Sequence, residues 1–352
     1  MRVTGDQPGT RVPRVVVVNA ALAACVWLVW ALVWGPRFLD ALQANWPVAL
    51  TMVFGSLIGG GTSEGGGAVS FPVMTKLLSV PADEARVFTF AIQSVGMTAA
   101  SISILACRVP VERRVVVHGS AAGVVGVVVS AVYLAPLVPL PLVRVLFTML
   151  LVALAVALLL QLFQRGYRRN PAVPEWTVRE RALVVGAGFA GGVLSGVAGV
   201  GENCVMFLLL VLLFRVSEKV STPTTVIMMT VVSIGAFTAH VFVIGDFTGA
   251  VVGYWVAAAP VVAVGAPLGA WICTRLTPFT IRMILFALIA SELVSTLLFV
   301  PFTPLLTVLG LTTLTVLTVL CVAFIRSDRY AAGGRPPGED DQARAPLRSG
   351  AG

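Results

Sequence analysis

Gly55-Ser-Leu-Ile-Gly-Gly-Gly-Thr-Ser-Glu-Gly-Gly-Gly-Ala-Val-Ser-Phe-Pro72 lies in the middle of an apolar segment spanning 46–80, yet its own centre is glycine, hydroxyl and carboxylate. Glycine has no Cβ, so it lets backbones approach closely and weakens a helix. A polar, broken segment at membrane depth is tolerated only where protein or a water-filled cavity surrounds it. A break of this kind between apolar arms points to a transport site.

The pattern occurs twice. Gly191-Gly-Val-Leu-Ser-Gly-Val-Ala-Gly-Val-Gly-Glu-Asn-Cys-Val-Met206 repeats it at an offset of 136 residues (201 − 65), which also pairs Gly55 with Gly191, Gly60 with Gly196 and Thr89 with Thr225. Further on, Pro141-Leu-Val-Arg144 aligns with Pro278-Phe-Thr-Ile-Arg282 after a shift of one or two residues. The ordered series argues for an internal duplication. Paired, glycine-interrupted apolar segments in two halves are the sequence pointer to a transporter binding site. Glycine for tight helix packing is the simpler explanation, but packing alone does not ask for Glu64, Glu202 or Asn203.

Of 352 residues, 58% are hydrophobic and 11% charged, with a mean hydropathy of +0.96. Apolar runs of about 20 residues, each long enough to cross a bilayer core, recur along the chain. These features describe an all-α polytopic membrane protein. The net charge of +8 is spread over loops, so it reads as topology and argues against nucleic acid as a partner. Cys25, Cys107, Cys204, Cys273 and Cys321 stand singly, with no metal-ligand spacing; free thiols, no metal and no cofactor are expected.

The expected organisation is an N-terminal tail and first span (1–45), repeat 1 (46–164), a basic linker (165–180), repeat 2 (181–300), a last span (301–326) and a disordered tail (327–352). The apolar run from 15 to 34 continues past Cys25, longer than a signal-peptide core, and is expected to remain as the first span. Each repeat reads as a re-entrant hairpin followed by three spans. Basic residues collect in the linker and beside Arg108, Arg215, Arg275 and Arg326. If those loops are cytoplasmic, both termini are too, and the odd number of crossings per repeat makes the two repeats inverted. Arg37, Lys76 and Arg86 then fall on the outer side, against the trend. Hairpin arms of about 15 residues reach roughly 22 Å at 1.5 Å per residue, which brings both tips near the bilayer midplane.

At each tip a second arm begins, near Gly65-Gly66-Gly67 and near Gly199 and Gly201. A helix N-terminus carries unsatisfied N–H groups and partial positive charge. Two of them meeting would bind an anion without a buried Lys or Arg. Ser63 and Thr62 line the first tip, Asn203 the second, with Thr89, Gln93, Thr222 and Thr225 beside them. Glu64 and Glu202 are carboxylates at membrane depth, expected either to carry a proton with the substrate or to cap a half-helix. Glu292, His118 and His240 are expected to make local hydrogen bonds.

Gly65-Gly66-Gly67 followed 20 residues on by Ala85 and Thr89, and Gly199-Val200-Gly201 followed equally by Ser221 and Thr225 (85 − 65, 221 − 201), resemble the TauE/SafE sulfite exporter family over about residues 48–300. His240 with Gly245-Asp246 is similar to that family's His…Gly-Asn-Val-Asp turn. The resemblance implies an exporter of a small sulfur anion (sulfite, thiosulfate or an organosulfonate) in the bacterial inner membrane. The chain departs from the pattern at Ser63-Glu64, at Gly201-Glu202-Asn203 and at Cys107-Arg-Val-Pro110.

The expected partners are a small anionic substrate and the lipid bilayer, and a homodimer is compatible with the sequence. The alternative function is a divalent-cation carrier with Glu64 and Glu202 as oxygen ligands. An intramembrane enzyme would need a nucleophile with a base or a metal cluster, which Ser63 and Glu64 do not supply. A purely structural membrane protein would not need two polar breaks.

Overall fold

The computed structural model describes residues 14–62, 65–163, 169–327 and 330. These form α1 (Arg14–Trp34), α2 (Pro36–Gly61), α3 (Gly67–Pro72), α4 (Ala82–Ala106), α5 (Arg113–Val129), α6 (Leu140–Phe163), α7 (Val178–Ala198), α8 (Glu202–Leu208), α9 (Glu218–Ala239), α10 (Ala250–Arg275), α11 (Pro278–Phe299) and α12 (Pro304–Arg326). One bridge between Asn170 and Val216 is the extent of β-pairing among the described residues. Ten of the helices, all but α3 and α8, are long and apolar enough to cross a membrane. The chain is a multi-pass membrane protein.

Helix α2 starts at Pro36 and is kinked at Asn45, where φ is −124°, so that its second part begins at about residue 46. Pro47 causes this: it offers no N–H to the preceding turn and its ring crowds the carbonyl four residues back. The arm beginning at α7 has 21 residues, about 31 Å, against the 15 expected. Its start is fixed outside the apolar run by a capping box: the Thr177 hydroxyl accepts from the Arg179 N–H at 3.3 Å, and the Glu180 carboxylate accepts from the Thr177 N–H at 3.0 Å.

Inside lipid there is little hydrophobic gain from helix association, so close backbone approach between small residues takes over. Helix α2 lies on α10 and α7 on α5 in this way. A Cβ placed on Gly60 would stand 1.9 Å from the Ala266 carbonyl oxygen, and one on Gly192 2.2 Å from that of Gly123. Helices α4 and α9 pack on each other between these pairs and are buried for most of their length. Helices α1, α11 and α12 present exposed apolar side chains such as Leu32, Leu298 and Leu305, as a lipid-facing rim does.

Local features recur at the offset of 136. Turns of π-helix follow α3 at Val73–Leu77 and α8 at Leu209–Leu213 (209 − 73). Gly65 and Gly201 both have positive φ, and Ser79 and Arg215 each have φ 54°. Helices α4 and α9 begin at Ala82 and Glu218 (218 − 82).

Lys76 and Arg86, which weakened the charge argument for orientation, are not loop charges. The Lys76 side chain is 3% exposed. Its ammonium donates to Glu292 at 3.3 Å and to Ser295 at 2.7 Å, and Thr148 and Thr296 complete the cluster. Glu292 thus has the local role expected of it. The Arg86 Nε is buried inside the protein. Tyr330, within the stretch expected to be disordered, is 2% exposed, and its hydroxyl donates to Glu180 at 2.5 Å. The five cysteines are free thiols, with Cys204 and Cys321 buried.

Candidate functional site

After α2 the chain doubles back, so that Gly66 lies against both Gly55 and Gly59. A Cβ on Gly59 would be 2.2 Å from the Gly66 nitrogen. The reversal passes through Gly65 at φ 74°, a left-handed conformation that disfavours any side chain. The second reversal uses Gly201 at φ 136°. There the gap between the arms is closed by a side chain: the Ser195 hydroxyl accepts from the Glu202 N–H at 2.9 Å and donates to the Glu202 carboxylate.

The two reversals meet. A Cβ on Gly65 would be 3.5 Å from Asn203 Nδ2, and one on Gly67 would be 2.1 Å from Val200 Cγ1, 2.6 Å from Gln93 Nε2 and 2.7 Å from Thr89 Cγ2. Gly199 lies against Thr89 as well, at 3.7 Å by the same measure. So Gly65, Gly67, Thr89, Gln93, Gly199 and Asn203, distant in sequence, come into one place. Gly66 faces back toward Gly55, and Gly201 packs on Leu194 of its own arm. The hydroxyls of Thr89 and Thr225 donate within their own helices, to Ala85 O at 2.7 Å and Thr222 O at 2.9 Å. Both are fully buried, with oxygen lone pairs left over. Ser63 and Glu64 lie outside the described residues.

Gln93 is oriented by a residue that sequence reasoning missed. Ser233 on α9 donates to Gln93 Oε1 at 2.8 Å. The Gln93 Nε2, close to Gly67, is buried without a hydrogen-bond partner. A buried amide donor left open is costly, and an acceptor oxygen of a ligand would satisfy it. Glu202 is 2% exposed, and its Oε1 is also unpartnered.

Two cavities approach the reversals from opposite ends of α4. One, of about 300 Å³, is bounded by Gly60, Cys107, Lys219, Thr222 and Cys273. The other, of about 510 Å³, is bounded by Asp83, Arg86, Val197 and Asp246. Arg86 and Cys107 are 21 residues apart on or just past α4 (107 − 86), about 31 Å of helix. Arg86 comes near the second reversal through its stem, against Gly199, where a Cβ would be 3.4 Å from its Cγ. Arg86, Thr89 and Gln93 follow i, i+3, i+7 spacing on one helix face, a signal present in the sequence. His240 makes the local bond expected, its Nδ1 lying 2.8 Å from Asp246. His118 Nδ1 lies 2.9 Å from the Arg114 carbonyl. Among the described residues, no three His, Cys, Asp or Glu side chains group as metal ligands would.

The family model described as Sulfite exporter TauE/SafE matches residues 48–296. No curated protein and no solved structure matches the chain. The matched stretch contains both reversals, both cavities and every residue named at their meeting point, and the chain belongs to the TauE/SafE family.

Proposed function

We propose that this TauE/SafE family member is a secondary transporter that exports a small sulfur-containing anion, such as sulfite, thiosulfate or an organosulfonate, across the bacterial inner membrane. The observation that carries the reading is the contact between the two glycine reversals, with a cavity at each end of α4. A carrier working by alternating access needs one central site and two routes to it, closed in turn.

In this reading the two halves are inverted repeats, and each reversal is the tip of a re-entrant hairpin. The crossed packing supports it: the first arm of each half lies on the other half's helix, α2 on α10 and α7 on α5. The anion sits between the tips, held by backbone N–H groups around Gly65–Gly67, at Gly201 and at Asn203, and by the Gln93 amide and the Asn203 side chain, the Glu202 N–H being taken by Ser195. The hydroxyls of Thr89 and Thr225 flank it. Glu64 and Glu202 carry the coupled proton. Both termini are cytoplasmic, and two copies assemble as a homodimer.

Flux into proteoliposomes of the full-length protein tests this. Sulfite, thiosulfate, sulfoacetate and sulfate are compared with and without a proton gradient. Saturable flux of a sulfur anion that is lost in Gly66→Val, with the protein still in the membrane, is expected. Dependence on the proton gradient that disappears in Glu64→Gln or Glu202→Gln would assign the coupling. Flux of a divalent metal with none of any anion would overturn the reading and make Glu64 and Glu202 oxygen ligands.

A further inference from the structure

Arg86 is charged, lines the larger cavity and makes no hydrogen bond within the described residues, its Nε being buried. Two carboxylates share that cavity. Asp246 is held instead by His240, whose Nδ1 lies 2.8 and 3.1 Å from its two oxygens. That imidazole is fully buried and stacked on Phe90 at 5.6 Å between centroids, so it cannot swing away. Asp83 is exposed at the cavity mouth. The Arg86 stem therefore lies against Gly199, at the edge of the tip contact, and its guanidinium feels the attraction of Asp246 and Asp83 without a hydrogen bond to either.

We propose that Arg86 is the residue that captures the anion in this cavity and delivers it to the tips, and so sets selectivity for an oxyanion at this face. The inference rests on the anion-transport reading. A guanidinium presents a planar fork of donors that matches two oxygens of a sulfonate or thiosulfate at once, and it keeps its charge at any physiological pH. The stem contact with Gly199 fixes its height at the second tip, one helical turn from Thr89 on α4.

The opposite cavity is built differently. The position equivalent by the 136 offset is Thr222 (222 − 86), whose hydroxyl is buried without a partner. The acidic group there, Glu218, is bound by Arg282 at 2.7 Å and by Arg169. At equivalent positions one cavity thus has a guanidinium and the other a hydroxyl; the cations of the smaller cavity, Arg108 and Lys219, stand at its exposed edge, away from the equivalent of Arg86.

The test is modification of the full-length reconstituted protein by a water-soluble, arginine-directed dicarbonyl reagent, with the Arg86 peptide followed by mass spectrometry. Sulfoacetate and thiosulfate are the probes, because sulfite reacts with the reagent. Saturating probe is expected to slow Arg86 modification about fivefold or more, while choline chloride at equal ionic strength does not. A rate unchanged by either probe, or an Arg86 that is never modified, overturns the proposal even if flux is normal. Protection without any flux leaves the Arg86 site standing and removes the transport reading.

Flux gives the second arm. Losing a hydrogen bond to a charged group weakens binding by roughly ten- to a hundredfold. Arg86→Gln should therefore raise KM about tenfold or more for substrate presented at the Arg86 face. Arg86→Lys should fall between, and KM at the opposite face should hardly move. Equal KM values at both faces in all three proteins overturn the proposal.

Discussion

Ser195 and Glu202 seal the second chain reversal with a single hydroxyl, which accepts from the Glu202 N–H at 2.9 Å and donates to the carboxylate of the same residue. The positions 136 residues earlier are Gly59 and Gly66 (195 − 136, 202 − 136), and there the backbones touch directly. Equivalent breaks are closed once by removing side chains and once by capping a helix with one.

Ser195→Ala should therefore cost about 1 kcal/mol, the usual cost of losing an N-terminal cap, and more if the buried Glu202 carboxylate loses its donor. Gly59→Ser should not create a second cap. A Cβ there lies 2.2 Å from the Gly66 nitrogen, so it should lower the yield of folded protein. Melting of the two purified variants in detergent checks both; a tolerated Gly59→Ser would disprove the direct contact.

Gly60 in α2 and Gly186 in α7 make opposite tests of helix packing. Gly60→Ala would press a methyl to 1.9 Å from the Ala266 carbonyl, whereas nothing lies within 4 Å of a Cβ on Gly186. Loss of folded protein is expected for the first. For the second the melting temperature should hold or rise, since alanine is favoured over glycine in a helix by up to about 1 kcal/mol.

The buried pair Lys76–Glu292, with side chains 3% and 9% exposed, predicts a non-additive double-mutant cycle. Lys76→Met alone leaves a carboxylate buried without its counter-ion, a change that costs about 3–5 kcal/mol in buried pairs. Adding Glu292→Gln should recover much of that loss. Additive effects in thermal melts would mean the two side chains do not depend on each other.

Orientation is checked by thiol labelling. Asn170 is unsuitable, being 5% exposed and hydrogen-bonded to the Phe214 carbonyl at 2.8 Å. Ala172 is exposed in the same linker. Ala172→Cys should react with a membrane-impermeant maleimide only from the cytoplasmic side. Cys107 and Cys273 line the smaller cavity and should react from that same side. Reaction of Ala172→Cys from outside would reverse the assignment.

Much of this protein could be read from its residues. The apolar runs fixed the helical class, because a bilayer demands about 20 apolar residues per crossing. The offset between Gly65 and Gly201 located both reversals, because each needs a positive φ at its turn and glycine adopts it most readily. Thr89 and Gln93 were found as one face of a helix by their spacing alone. Contacts between distant segments were not legible in this way. That Gly67 of the first half meets Val200 of the second depends on how the helix pairs cross. Crossing in lipid is set by the shapes of small-residue surfaces, which leave no periodic mark of polarity. Arg86 shows the same division: in the sequence it reads as a charge at the outer edge of an apolar span, and a loop charge and a cavity charge look alike until the neighbours of α4 are known. The tertiary structure places Arg86 beside Gly199, at the edge of the contact between the two reversals.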